Sequence, residues 1–264
     1  MGTTIDLEHD CTLLHGDCLS KFSLIPADSI DLILTDPPYN LGIFMKNRET
    51  NLGALRENHF VASDWDNLSQ GKWEESMHGF FRESARVLKN RGSIIVFMSI
   101  IKVETVISIA EKYGFYYKTT GIWHKKNPMP RNMNLHFINS TESWLYFVHG
   151  AKTGTFNNDG KAVHDYIETS TIGLAEKKYG KHPTQKPEKL MDFFVQLLSN
   201  EGDLILDPFM GSGSTGVSAL KNNRRFCGIE LNDKYFELAE KRVHFGKYKI
   251  ESDSINITEV SHEH

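Results

Sequence analysis

The sequence has little cysteine and no long apolar run. Its three cysteines, Cys11, Cys18 and Cys227, form no C-x-x-C pair and have no spacing typical of a metal site. Unpaired thiols suit a reducing compartment, which argues against a small secreted fold held by disulfides. The longest apolar run, Ile94 to Ile101, is interrupted by Ser99. It is much shorter than the roughly 20 residues of a transmembrane helix.

A cationic leader and an excess of basic charge are also missing. Met1 to Asp10 carries acids where a signal peptide has a basic and then an apolar stretch, so we expect a cytoplasmic protein. The formal net charge of −4 argues weakly against a nucleic-acid partner, although binding depends on local patches rather than on the average. Two segments are locally basic, and a solvated surface is the competing explanation for both. They are 124–131, with Lys125, Lys126 and Arg131, and 177–189, with Lys177, Lys178, Lys181, Lys186 and Lys189.

What is present is the composition of an ordinary globular protein, with 39% apolar and 24% charged residues in a chain of 264. Short apolar strands alternate with segments of helical periodicity, which predicts an α/β fold with a doubly wound, mostly parallel sheet. Residues 115–123 and 143–148 are predicted to form an antiparallel pair at a sheet edge. The other predicted strands are 30–35, 93–98, 203–207 and 225–230, and the predicted helices are 73–88, 103–113, 187–198, 215–221 and 233–243.

Two stretches do not fit this alternation. Residues 40–70 form an irregular segment that is long for a loop inside one domain, and such loops are often lids or recognition elements. Residues 150–181 are polar, lack a long periodic run and have the length of a small recognition region. The tail, 249–264, is polar, and we expect it to be frayed.

The segment Gly211 to Gly216 matches G-x-G-x-x-G, a pattern whose small residues let a cofactor approach the backbone. Glu230 follows 19 residues after Gly211, at the end of a predicted strand, where a carboxylate can bind the two ribose hydroxyls of an adenosine. Only 34 residues follow Glu230, too few to complete a dinucleotide-binding sheet. Earlier strands must therefore complete the sheet in a permuted order, which argues against a nicotinamide-dependent oxidoreductase.

The segment Thr35 to Asn40 reads T-D-P-P-Y-N and follows a predicted strand. Because ligands bind at the carboxyl ends of parallel strands, we expect this turn to face the same crevice as the glycine loop. Two consecutive prolines fix φ and remove two N–H donors, which leaves Asp36 and the Pro37 carbonyl as neighbouring acceptors beside the Tyr39 ring. This set suits an aromatic amino group that is held by two acceptors while its base stacks on the tyrosine.

The order of these motifs, D-P-P-Y first and F-M-G-S-G last, resembles that of the β-class, circularly permuted amino-group DNA methyltransferases of the N6-adenine type. Three further segments are similar to motifs of that family: L-H-G-D-C-L at 14–19, W-H-K at 123–125 and H-P-T-Q-K-P at 182–187. A likeness to the small adenine methyltransferases of Dpn-type restriction systems lies in N-P-M-P at 127–130, S-T-E at 140–142 and the glutamate at 188. That likeness suggests a GATC-like recognition site.

The resemblance implies a Rossmann-like fold with a mostly parallel, seven-stranded sheet that binds S-adenosylmethionine. The sulfonium of this cofactor already activates the methyl group, so no metal is expected. The chain would divide into a catalytic half at 1–149, a small target-recognition region at 150–181, a cofactor-binding half at 182–248 and the polar tail.

The candidate site residues fall into four groups once the resemblance is included. The catalytic group is Asp36, Pro37, Pro38 and Tyr39, and the base pocket contains Asn40, Trp123 and Lys125. The cofactor group is Asp17, Cys18, Thr184, Lys186, Asp207, Pro208, Phe209, Gly211, Ser212, Gly213, Ser214, Thr215, Glu230 and Leu231. The DNA-binding group is Lys126, Arg131, Lys177, Lys178 and Lys181. Structural alternatives are a helix cap for Asp207, core packing for Phe209 and Trp123, and helix-start roles for Thr184 and Lys186.

DNA is the implied partner, and the target base must be flipped out of a duplex because its amino group is otherwise out of reach. We expect double-stranded DNA as the substrate, and single-stranded DNA stays an open alternative. The resemblance to the family also implies a homodimer and a cognate restriction endonuclease. A bacterial or phage-encoded, cytoplasmic and DNA-associated enzyme is expected.

Four alternatives compete with this interpretation. N4-cytosine methylation tends to accompany S-P-P-Y, whereas Asp36 and Asn40 favour adenine. An RNA or protein methyltransferase usually has the opposite motif order, and the intact D-P-P-Y argues against a silent DNA-binding module. The permuted order argues against a nicotinamide enzyme.

Overall fold

The structure is a computed structural model that describes residue 5 and residues 7–41, 68–128, 137–180 and 182–244. One sheet runs through these residues. Two of its strands were not predicted and the third is longer than predicted, whereas the others agree with the predicted strands to within a few residues. The strands are β1 (Cys11–His15), β2 (Ile30–Thr35), β3 (Leu88–Met98), β4 (Phe115–Lys125), β5 (Thr141–His149), β6 (Tyr166–Thr169), β7 (Leu204–Asp207) and β8 (Arg225–Glu230).

The sheet has the order β1-β8-β7-β2-β3-β5-β4-β6. Its first five members are parallel, so the late strands β7 and β8 lie between β1 and β2, and the permuted order is confirmed. β5 is antiparallel to both β3 and β4, which confirms the predicted antiparallel pair. The edge position predicted for that pair is wrong, because β6 adds to β4 in the parallel sense and forms the edge itself.

The expected seven strands are one fewer than the eight found, and the extra edge strand comes from the segment 150–181. In β6 only Ile167 and Thr169 are buried, an alternation typical of a strand with one covered face. Part of the region that was predicted to be irregular therefore extends the catalytic sheet.

Helices cover both faces of the sheet, as predicted for a doubly wound fold. On one face the core contains Phe22, Trp73, Phe80 and Val106, and on the other it contains Leu190, Phe194, Val217 and Ala239. Within the described residues no helix combines the length and apolarity needed to cross a membrane. The helices are α1 (Cys18–Phe22), α2 (Gln70–Val87), α3 (Val103–Glu111), α4 (Glu188–Leu198), α5 (Ser214–Lys221) and α6 (233–244).

The register of the sheet brings the distant motifs to one edge. Leu32 and Ile33 of β2 pair with Ile205 and Leu206 of β7, so the D-P-P-Y turn and the glycine loop leave neighbouring strands on the same side. β5 runs in the opposite direction and therefore begins at this edge, where Glu142 lies opposite Trp123.

Candidate active site

Asp207 joins the two loops that follow β2 and β7. Its carboxylate accepts hydrogen bonds from the Thr35 hydroxyl and from the Thr215 hydroxyl, both at 2.7 Å, and from the Phe209 amide at 3.2 Å. Burial raises the pKa of Asp207 to about 7 against the effect of these donors. Because Thr35 immediately precedes the D-P-P-Y turn, Asp207 fixes the glycine loop relative to that turn.

The D-P-P-Y turn is held from two sides. The Tyr39 hydroxyl donates to Asp36 Oδ1 at 2.6 Å, and the indole Nε1 of Trp73, on α2, donates to the Pro38 carbonyl at 3.2 Å. The turn ends at Asn40, which is buried and has a φ of 52°, in the left-handed region that asparagine tolerates. The side chain of Asp36 is thus presented on a braced turn.

A chain of alternating charges runs away from Asp36. Lys186 donates to Asp36 Oδ2, and its Nζ lies 3.1 Å from Glu142 Oε2. The Nζ of Lys125 lies 2.5 Å from the other oxygen of Glu142. Lys186 also faces the Phe97 ring, with its Nζ 5.1 Å from the ring centroid. Four motifs that are far apart in sequence, D-P-P-Y, W-x-K, S-T-E and H-P-T-x-K-P, therefore contribute to one ionic network.

Burial and charge act in opposite directions within this network. Burial alone would lower the pKa of Lys186, but the carboxylates of Asp36 and Glu142 raise it, so the ammonium stays charged. Burial likewise opposes ionisation of Glu142, yet Lys186 and Lys125 lower its pKa. At Asp36 burial raises the pKa, and the charge of Lys186 opposes that rise.

The glycine loop has the backbone that its sequence predicts. Gly211 and Gly213 have φ values of 54° and 77°, which residues with a Cβ rarely adopt. The Gly211 amide donates to Glu230 Oε2 and the Asn232 amide donates to Oε1, both at 2.8 Å. Two backbone amides therefore orient the Glu230 carboxylate beside the loop, and burial raises its pKa.

Arg242, which sequence reasoning missed, supports this loop from α6. One of its guanidinium nitrogens donates to the Ser212 carbonyl at 2.7 Å, to the Ser212 hydroxyl at 3.0 Å and to the Ser214 hydroxyl at 3.2 Å. The other terminal nitrogen donates to Glu188 at 3.0 Å. The residue is only 4% exposed. Its place beside Leu238, Ala239 and Val243 on the apolar stripe of a helix was the available signal, because an arginine is rarely buried unless it is paired.

The H-P-T-Q-K-P segment lies against the glycine loop. A Cβ added at Gly211 would come within 3.3 Å of the His182 ring, which packs edge-on against Tyr235 at 4.2 Å between ring centroids. Burial lowers the pKa of His182 to about 4, so the imidazole is neutral at physiological pH. Thr184 is exposed, with its hydroxyl 3.5 Å from His182 Nδ1. Lys186 contacts the Asp36 carboxylate, and its predicted contact with the cofactor stays a prediction.

The remaining candidate cofactor residues surround the ends of β1, β7 and β8. The Asp17 carboxylate caps α1 by accepting from the Ser20 amide at 3.1 Å. Cys18 and Pro208 are buried and Leu231 is half exposed. Phe209 packs against Phe80 at 5.8 Å between centroids.

The candidate base-pocket residues lie at different depths. Trp123 is 2% exposed, belongs to the core, and donates from Nε1 to the Thr169 hydroxyl of β6 at 2.8 Å. Lys125 lies over its ring, with Nζ 5.1 Å from the centroid. The structure thus brings Lys125 into the ionic network and places Trp123 behind it, and a direct contact between Trp123 and a base stays a prediction.

The candidate DNA-binding residues are less well covered. Lys126 is exposed and forms an ion pair of 2.9 Å with Glu168. Lys177 ends a short 3-10 turn (Ala175–Lys177), and the exposed Lys178 lies over the Tyr179 ring at 5.3 Å. Arg131 and Lys181, most of the loop 40–70 and the tail 249–264 lie outside the described residues.

Known proteins are similar to this chain in sequence and in fold over most of their length. A family model described as DNA methylase matches residues 30–241. The Type II methyltransferase M2.DpnII of Streptococcus pneumoniae is 35% identical over 244 residues, which cover 88% of each chain. The DNA adenine methyltransferase YhdJ of Escherichia coli K12 is 31% identical over 266 residues, 88% of this chain and 82% of the relative. The crystal structure of the M1.HpyAVI–SAM complex superimposes with a TM-score of 0.64 at 26% identity, covering 88% of this chain and 99% of that one.

Proposed function

This chain belongs to the DNA methylase family, and we propose that it transfers the methyl group of S-adenosylmethionine to the N6 amino group of a flipped adenine in DNA. One observation supports this proposal above the others. The acceptor carboxylate of Asp36 and the glycine loop leave adjacent parallel strands and are fastened together by Asp207.

The residues around the glycine loop fit S-adenosylmethionine. The left-handed Gly211 leaves a space beside His182 that a side chain would fill, and Glu230 presents a carboxylate beside it for the ribose hydroxyls. When bound, the cofactor supplies an electrophilic methyl group that needs no metal. Asp17, at the end of the neighbouring strand β1, would bind the adenine edge, and Phe209 would line the pocket.

Asp36 prepares the nucleophile. The lone pair of the adenine amino group is delocalised into the ring, so the free amine attacks poorly. Acceptors at Asp36 and at the Pro37 carbonyl would hold its two hydrogens, favour a pyramidal nitrogen and aim the lone pair at the methyl carbon. Positioning of this kind can lower a barrier by about 7–11 kcal/mol, and the carboxylate stabilises the positive charge that develops on nitrogen.

Base flipping costs a few kcal/mol. Stacking on an aromatic side chain contributes about 1–3 kcal/mol per base and offsets part of this cost. Tyr39 is the candidate because its hydroxyl is tied to Asp36, which fixes the ring beside the acceptor. Asn40 and Lys125 would form the adjoining wall of the pocket.

DNA contacts beyond the base are assigned to the basic residues near this edge. Lys126, Lys177 and Lys178 would meet phosphates, which position a duplex without reading its sequence. We assign sequence recognition to the region 150–181 with help from the loop 40–70, between a catalytic half at 1–149 and a cofactor-binding half at 182–248. A cytoplasmic location, a GATC-like site, a cognate endonuclease and a homodimer are parts of the same proposal.

Transfer of labelled methyl from S-adenosylmethionine to double-stranded DNA tests this function, with nucleoside analysis of the product. We expect N6-methyladenine from the wild type and none from Asp36→Ala. The control is Asp31→Asn, at the opposite end of β2, where Asp31 pairs with Lys89 at 2.7 Å; it should stay active. Label found only in N4-methylcytosine, or only in RNA, would contradict the proposal.

A further inference from the structure

The ionic network contains more charge than the proposed chemistry requires. One carboxylate, Asp36, is enough to accept a hydrogen bond from the target amine. A second carboxylate, Glu142, is nevertheless buried nearby and has an ammonium group on each side, Lys186 and Lys125. Removing charges from water is expensive, so such a cluster calls for a physical reason.

The partners of Asp36 pose a problem for substrate binding. Tyr39 donates to its Oδ1 and Lys186 donates to its Oδ2, so both oxygens already hold a donor. An incoming amino group has to compete with these two donors for the lone pairs of the carboxylate. Lys186 is the partner that can exchange, because a flexible side chain carries its ammonium, whereas Tyr39 belongs to the braced turn itself.

Glu142 offers Lys186 a second place. Its Oε2 is buried and lies 3.1 Å from the Lys186 ammonium, but no described residue makes a hydrogen bond to that oxygen. A small movement of the ammonium would convert this ion pair into a charge-assisted hydrogen bond. Lys125 holds the other oxygen at 2.5 Å and keeps the carboxylate turned toward Lys186.

We propose that Glu142 is a positioning residue, which receives the ammonium of Lys186 when the target amino group takes its place on Asp36. The inference rests on the proposed function. Before the base arrives, Lys186 orients the Asp36 carboxylate and favours its ionised form; afterwards the ammonium stays close, on Glu142. The charged groups that face the exchange are Asp36, Glu142, Lys125 and Lys186, with Tyr39, His182 and Asp207 around them.

The exchange predicts an unusual pattern of mutant effects. Glu142→Gln removes the receiving carboxylate and leaves Lys186 on Asp36 alone, so kcat/KM for DNA should fall about tenfold or more while the Kd for S-adenosylmethionine stays within about threefold. Adding Lys186→Met removes the group that has to be displaced, so the double variant should be more active than Glu142→Gln at pH 9. The loss of the Lys186 cation raises the pKa of Asp36, and the loss of the Glu142 charge offsets only part of that rise, so the acid limb of the double variant's pH profile should lie above that of the wild type.

The decisive experiment measures kcat and KM for DNA and the Kd for S-adenosylmethionine between pH 6 and 9. The variants are Glu142→Gln, Glu142→Asp and Glu142→Gln/Lys186→Met, and the control is Lys89→Met. The control removes the ion pair between Lys89, near the start of β3, and Asp31, near the start of β2. These positions lie at the opposite ends of the strands from the network, so the control should behave as the wild type. Glu142→Asp keeps the charge with a shorter reach and should be intermediate; it also serves if Glu142→Gln does not fold.

A double variant that is no more active than Glu142→Gln at pH 9, or that has an unshifted acid limb, would overturn the inference. Unaltered kinetics in Glu142→Gln would do the same. If the variants give either of these results while the wild type methylates adenine, the proposed function still holds. A wild type that places no methyl group on adenine would overturn the proposed function, and this inference with it.

Discussion

Replacing Arg242 with methionine should weaken both the fold and the cofactor site. The guanidinium makes three hydrogen bonds to the loop residues Ser212 and Ser214 and one to Glu188, and the residue is 4% exposed. Methionine fills a similar volume without charge, so the change isolates the polar contacts.

The expected magnitude follows from the burial of the partners. Breaking a buried ion pair costs about 3–5 kcal/mol, and the side chain of Glu188 is 28% exposed, which places the loss near the lower end. For a protein of this size about 3 kcal/mol corresponds to a fall in Tm of roughly 6–12 °C. If the less ordered loop costs the binding free energy of one hydrogen bond, about 1.4 kcal/mol, the Kd for S-adenosylmethionine rises about tenfold.

Urea unfolding and titration calorimetry with S-adenosylmethionine would measure the two effects. Arg224→Met is the matched control, because Arg224 also donates to two backbone carbonyls, that of Ser199 after α4 and that of Asn222 after α5. Asn222 lies at the opposite end of α5 from the glycine loop. It should lower the free energy of unfolding without changing the Kd. A loss below about 1 kcal/mol in Arg242→Met, or equal Kd values for the two variants, would refute the reasoning.

Two further predictions concern the same loop. Asp207→Asn should change how stability depends on pH: the carboxyl pKa is about 7 in the folded state and 3.8 when unfolded, so the folded state holds one more proton between these values. Wild-type stability should therefore fall relative to the variant by roughly 3 kcal/mol as pH rises from 4 to 7. Urea unfolding that gives both proteins the same dependence of stability on pH would contradict this. Gly213→Ala should lose more stability than Gly202→Ala: both have positive φ, but the new Cβ meets Ala239 at 3.2 Å only in the first. If both variants lost the same free energy of unfolding, about the 1–2 kcal/mol expected from left-handed strain alone, the contact with Ala239 would not explain a difference.

Sequence patterns predicted the fold well where strands are long and apolar. β3 and β5 are almost wholly buried and stand out as apolar runs, whereas β6 contains four residues of which two are buried, too short a pattern to recognise. The error at the sheet edge follows from the missed β6. The permuted order could be predicted because the D-P-P-Y turn precedes the glycine loop in the sequence.

The candidate site was predictable where local backbone chemistry defines it. Prolines and glycines fix the D-P-P-Y turn and the cofactor loop wherever they occur, so Asp36, Gly211 and Glu230 could be identified directly. The partners of these groups could not be identified in this way. Lys186 is 150 residues from Asp36 along the chain, and only the pairing of β5 with β3 and β4 brings Glu142 and Lys125 to the same place.

Four carboxylates meet at this edge of the sheet, and their partners rather than their residue type determine what each can do. Glu230 is held by two backbone amides, which orient it to accept from a ligand's hydroxyls. Asp207 is held by two hydroxyls in a buried position where it ionises reluctantly, which suits a brace. Asp36 and Glu142 share an ammonium group, and only such a partner can move between them while both remain charged. The shared ammonium therefore sets Asp36 and Glu142 apart from Glu230 and Asp207, which are held by fixed donors.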